Sequence, residues 1–115
     1  MFLFENLEVY EKSVVLTKKV HQMGRSIPNR PINDQMLRAV LSIPLNIAEG
    51  QGRIHCREKK QFYNTAKGSL YECVPLLQLC FELKYIDEVL YRELYSLMEE
   101  VSKALSGLIK SVKEI

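Results

Sequence analysis

The residues with the greatest chemical capacity in this sequence are cations. Arg53, Arg57, Lys59 and Lys60 fall within one short run, Arg53-Ile54-His55-Cys56-Arg57-Glu58-Lys59-Lys60. Such side chains hold phosphate groups, Arg through paired donors and Lys as a point charge. One copy is a weak electrostatic site. Repeated around a ring of subunits, it becomes an anion-binding rim whose affinity falls steeply with salt. The run also reads as a solvated cap on a helix start, although cations there oppose the helix dipole. Lys12, Lys18 and Lys19 could extend the patch.

Other chemistry fails on spacing. A carboxylate-bridged di-metal site needs Glu-x-x-His, and no Glu stands three residues before His21 or His55. His55-Cys56 is an isolated pair, and Cys73 and Cys80 lie on an apolar stripe, so no zinc set forms. Gly50-Gln51-Gly52 opens like a dinucleotide fingerprint but lacks the third glycine and follows a helix. No nucleophile or oxyanion hole accompanies His21, and the aromatic residues fall at core spacing rather than on a base-stacking platform. The expectation is a non-enzymatic protein without catalytic residues, metal or cofactor.

With 115 residues, 47% hydrophobic and 26% charged, the chain is expected to form one globular domain over residues 1–115. A formal net charge of +2 makes any functional charge local. Residues 1–60 carry ten Lys/Arg against six Asp/Glu, and residues 61–115 carry six against eight. Cys73 and Cys80, seven apart on one helix, are separated by about 10 Å and out of disulfide reach. With no basic leader and no membrane-length apolar stretch, a cytoplasmic location without membrane contact is expected.

The elements that must position the cations are helices. Asn6 is the expected cap of a first helix over Leu7–Met23, closed by Gly24. It has two apolar stripes, one with Leu7, Tyr10 and Val14, the other with Val9, Leu16, Val20 and Met23. Two prolines make residues 25–31 a loop, and Asn33 or Asp34 caps the second helix. Its core stripe is Leu37, Val40, Leu41, Pro44, Ile47 and Ala48. Pro44 frees a carbonyl, to be taken by Ser42 or a neighbouring chain. Arg38, Ser42, Leu45 and Glu49 run along the side, and Asn46 lies opposite, either as a wet face or as polar contact between subunits.

Gly50 and Gly52 end this helix and turn the corner. A third helix over about 57–84 is apolar around more than half its circumference, which argues for an oligomer. Gly68 and Ser69 permit close helix approach. Antiparallel pairing across the corner places Arg38 level with Glu72, as a partly buried ion pair. Tyr85-Ile86-Asp87 makes the next corner. A fourth helix repeats Leu90, Leu94, Leu97, Val101, Ala104/Leu105, Leu108 and Val112 in steps of four and three. The fold class is all-α, an antiparallel up-down-up-down four-helix bundle.

Two blocks carry a family resemblance: Ser42, Ile43, Pro44, Asn46, Ile47, Ala48, Glu49, Gly50, Gly52 and Arg53, then Phe62, Ala66, Gly68, Ser69, Leu70 and Glu72. Phe4, Leu7, Val9, Tyr10 and Tyr85-Ile86 also fit, so nearly the whole chain is covered. On these residues the chain resembles the bacterial four-helix-bundle proteins encoded in intervening sequences of 23S ribosomal RNA genes. Pro75 departs from the family pattern. The resemblance implies a homopentameric barrel of bundles, with structural roles for Pro44, Asn46, Glu49, Gly50, Gly52, Ser69 and Glu72. A related branch, the accessory protein of diversity-generating retroelements, implies binding of RNA or DNA and of a protein partner such as a reverse transcriptase. The alternative is a protein-binding scaffold without nucleic-acid affinity.

Overall fold

The structure, a computed structural model that describes residues 1–113, is all helical: a 3₁₀ turn Leu3–Asn6, then α1 Glu8–Gly24, α2 Arg30–Gln51, α3 Cys56–Glu82 and α4 Glu88–Ser111. The helix starts follow local chemistry. Asn29 caps α2 by accepting the N–H of Ile32 (3.1 Å), and Asp87 caps α4 by accepting that of Leu90 (2.8 Å). The α2 cap is therefore Asn29, not Asn33 or Asp34. Pro31 does not exclude helix here, because in the first turn its missing N–H has no partner to lose. Leu7, without a side-chain cap bond, precedes α1 in place of Asn6. At the end of α3, Lys84 takes a left-handed conformation (φ 64°). Tyr85 N–H donates to Cys80 O (2.9 Å) and Lys84 N–H to Phe81 O (3.0 Å), which closes the terminal turn.

Each helix packs on its neighbours in sequence, and α4 closes back onto α1. The pairs are antiparallel: Thr17 meets Val40, Ser42 meets Ser69, Phe81 stacks on Tyr91, and Lys19 pairs with Glu93. The result is a rod of 49 × 25 × 22 Å. Val9, Leu16 and Val20 of α1, Met36, Val40, Ile43 and Ile47 of α2, Leu70, Cys73 and Leu77 of α3, and Leu94, Met98, Val101 and Leu105 of α4 fill its axis. At about 1.5–3 kcal/mol for each fully buried large aliphatic, this core outweighs every polar contact in the molecule.

The packing of α2 and α3 corrects further sequence expectations. The buried face of α2 is Met36, Ala39, Val40, Ile43, Pro44, Ile47 and Gly50, whereas Leu41 and Leu45 are 45% and 59% exposed. The inward face is therefore rotated away from Leu41. The breadth of α3 is absorbed within one subunit: α2 covers one side and α4 the other, leaving Phe62, Val74, Leu76 and Phe81 half-buried. On the outer side of α3, Tyr71 and Leu79 stay exposed. Gly68 faces open space, and the close approach between α2 and α3 is made at Gly50.

α2 continues unbroken through Pro44. The freed Val40 carbonyl is reached by Thr17 Oγ1 of α1 (3.3 Å), a partner within the same chain rather than Ser42. Thr17 Oγ1 also lies 2.8 Å from Ser13 O, so its single proton serves two acceptors.

Candidate nucleic-acid interface

The corner between α2 and α3 forms because two helices meet almost without a loop. A Cβ on Gly50 would stand 2.6 Å from the Tyr63 ring, so only glycine lets α2 lie against this fully buried tyrosine. Tyr63 reaches past it to donate its hydroxyl to Gln51 Oε1 (3.3 Å). Gly52 ends α2 with an ordinary right-handed φ of −76°, and no left-handed residue is needed to turn the chain.

The four cations expected at this corner separate into two kinds. Arg53 is held internally: it pairs with Glu49 (3.5 Å) and Glu58 (4.0 Å), and its guanidinium lies 4.7 Å above the Phe62 ring. Lys59 donates to the last carbonyls of α2, Gln51 O (3.0 Å) and Gly50 O (3.4 Å). This removes the apparent mismatch with the α3 dipole, because Lys59 serves the C-terminus of α2, where a cation is favoured. Arg57 is exposed and Lys60 half-buried, and among the described residues neither forms an ion pair. His55, which precedes α3, makes no side-chain cap bond to its first amides.

The end of α4 joins this corner. The Cys56 thiol donates to Lys113 O (2.9 Å), which brings Lys110 and Lys113 to the same end as Arg57 and Lys60. These two lysines were absent from the sequence expectation. An up-down topology with short corners would have placed them there, because the second and fourth helices must end together. The lysines of α1 do not extend the patch as a free row: Lys12 pairs with Glu8 (3.1 Å), Lys19 with Glu93, and Lys18 lines the groove between α1 and α2.

The remaining predicted structural residues lie along α2 and α3. Ser69 Oγ donates to Ser42 Oγ (2.9 Å), and Asn46 Nδ2 donates to the carbonyl (2.8 Å) and hydroxyl (2.9 Å) of Ser42. Asn46 is thus half-buried and bonded to Ser42 on its own helix, and Ser42 in turn links α2 to Ser69 of α3. Arg38 and Glu72 do not pair. Arg38 is exposed, and the Glu72 carboxylate accepts from Gln35 Nε2 (3.0 Å), one turn earlier on α2. The antiparallel pairing was placed correctly to within a turn, but the shorter amide at Gln35 takes the carboxylate. An exposed Arg38 gains little from competing for it.

Burial pushes the Cys73 thiol up to about 12, helped by the charge of neighbouring Glu72, and raises Cys80 by the same desolvation. Both thiols therefore stay protonated near neutrality. Among the described residues no three His, Cys, Asp or Glu side chains gather as a metal set, and no helix is long and apolar enough to cross a membrane.

The family model described as 23S rRNA-intervening sequence protein matches residues 5–107. A crystal structure of a protein with unknown function from the S23 ribosomal protein family of Bacteroides thetaiotaomicron superposes with a TM-score of 0.83 at 23% identity, covering 90% of this chain and 99% of that one. At that identity the likeness establishes the fold. A search of curated proteins finds no match. The family match reaches into all four helices and includes the whole α2–α3 corner, and the chain belongs to the 23S rRNA-intervening sequence protein family.

Proposed function

We propose that this protein is a non-enzymatic homo-oligomer of bundles, a pentamer by its resemblance to its family, that binds RNA or DNA without sequence preference in the cytoplasm. The observation that carries this reading is the gathering of Arg57, Lys60, Lys110 and Lys113 at one end of the rod. Among the described residues, Glu49 and Glu58 at this corner both pair with Arg53.

The test is the double charge reversal Arg57→Glu with Lys60→Glu, assayed against single-stranded RNA and duplex DNA at two salt concentrations. The reading expects a large affinity loss with the assembly intact. The slope of log affinity on log salt should fall by about 1.4 per engaged subunit on single strands, two contacts at about 0.7 each. Unchanged affinity would sink it.

A second reading is a protein-binding scaffold. It is favoured by the groove between α3 and α4, where Tyr91 and Tyr95 follow Phe81 and a strongly exposed Tyr71 lies alongside. Tyrosines of this kind anchor protein partners, a reverse transcriptase among the candidates. Tyr71→Ala with Tyr95→Ala would abolish such capture and leave nucleic-acid affinity unchanged.

A further inference from the structure

We infer that the groove between α1 and α2 is the seat of a second copy of this chain, entered by that copy's Phe2–Leu3 turn. The inference rests on the proposed homo-oligomer and names the surfaces that build it.

The groove has a volume of about 340 Å³ and is walled by Phe4, Tyr10, Val14, Leu41, Pro44 and Leu45. Leu41 and Leu45 stand one turn apart on the outer side of α2, large aliphatics that the core does not use. A continuous apolar face of this kind marks a protein interface. It is also the place where the sequence expectation of an inward Leu41 failed.

The complementary shape is on the same chain. Phe2 and Leu3 are each 73% exposed, yet they are not loose. The Phe2 N–H donates to the Glu5 carboxylate (2.7 Å), the Phe2 ring stacks on Phe4 (5.8 Å between centroids), and Phe4 packs edge-on against Tyr10 (4.9 Å). An apolar knob fixed before contact loses little freedom on binding. Its anchorage beside Gln51 and Gly52, past the end of α2, holds it outside its own groove. The charges agree with mutual docking: Lys18 is the one charged group lining the groove, and the exposed Glu5 lies three residues after Phe2. Knob and groove are different surfaces, so the contact is head-to-tail and can close a ring of any number, whereas groove-on-groove contact stops at two.

Light scattering on the size-separated full chain tests this with two variants, Phe2→Glu at the knob and Leu45→Glu in the groove. Both positions are exposed, so far-UV circular dichroism should be unchanged; Leu41→Lys is a second groove variant should Leu45→Glu lose helicity. The wild type is expected at more than twice the 13.4 kDa chain mass, and each variant alone at the chain mass. Mixing the two should restore a single contact, the intact knob of one in the intact groove of the other, and give twice the chain mass. Variants that assemble like the wild type would overturn the inference while leaving the homo-oligomer standing. A wild-type dimer broken only by the groove variant would overturn it in favour of groove-on-groove contact, and a monomeric wild type would overturn inference and oligomer together. Separate variants that stay monomeric when mixed would overturn the knob-in-groove assignment.

Discussion

Thr17 sits where α1 crosses the proline of α2, with one hydroxyl proton and two carbonyls in reach. Ser13 O keeps its helical partner whether or not Thr17 donates to it. Val40 O does not, because Pro44 has no N–H. Thr17→Val should therefore cost about 1–3 kcal/mol, the penalty of a buried acceptor left unmade, and Thr17→Ser should recover most of it; urea unfolding reads both. The buried thiols act on a different axis. The folded state holds the proton of Cys73 up to about 12, whereas the unfolded chain releases it near the ordinary thiol value of 9. The native state therefore binds more protons between these values, and stability must fall as pH climbs through that window. Cys80 and Tyr63, both raised by burial, push the same way. An alkaline series of urea midpoints that stays flat across the window would contradict the burial of these groups. Native thiol labelling should meanwhile modify Cys56 and spare Cys73 and Cys80.

Among the elements, α2 and α3 form the pair on which the rest depends, and two glycines test how. At Gly50 an added methyl would press on the Tyr63 ring, which is buried and cannot yield, so Gly50→Ala should cost about 1–3 kcal/mol. At Gly68 nothing lies within 4 Å, and Gly68→Ala should gain about 1 kcal/mol from helix propensity alone. Opposite signs in thermal melts of these two variants are the expected result; equal signs would refute the register of α2 on α3. How legible these elements were follows from their patterns. α4 was plain because its apolar residues keep to one seam. α2 was not, since Met36, Ala39, Ile43, Leu41 and Leu45 together wrap more than half the helix and periodicity cannot decide which part turns inward. Its start was misread because two prolines suggest a loop unless one occupies a first turn. The corner itself was legible from its glycines and cations. The internal commitments of Arg53 and Lys59 were not, because they depend on how far long side chains reach across a turn.

At the scale of the molecule, the cations and the apolar Phe2–Leu3 knob share one end of the rod, the apolar groove runs along the α1–α2 flank, and tyrosines lie between α3 and α4. Arg57 and Lys60 are on α3 and Leu45 is on α2, so the proposed activities can be altered one at a time. Charge reversal at Arg57 and Lys60 should weaken nucleic-acid binding without changing mass, and Leu45→Glu should change mass while leaving each basic end intact. The gathering of residues 1–3 against Gln51 and Gly52, and of Lys113 against Cys56, has a practical corollary for anyone handling the protein. A purification tag joined at residue 1 would stand over the basic end and compete with whatever binds there. A fluorophore attached at exposed Lys84 would lie at the far corner of the rod and report on the same binding without obstructing it.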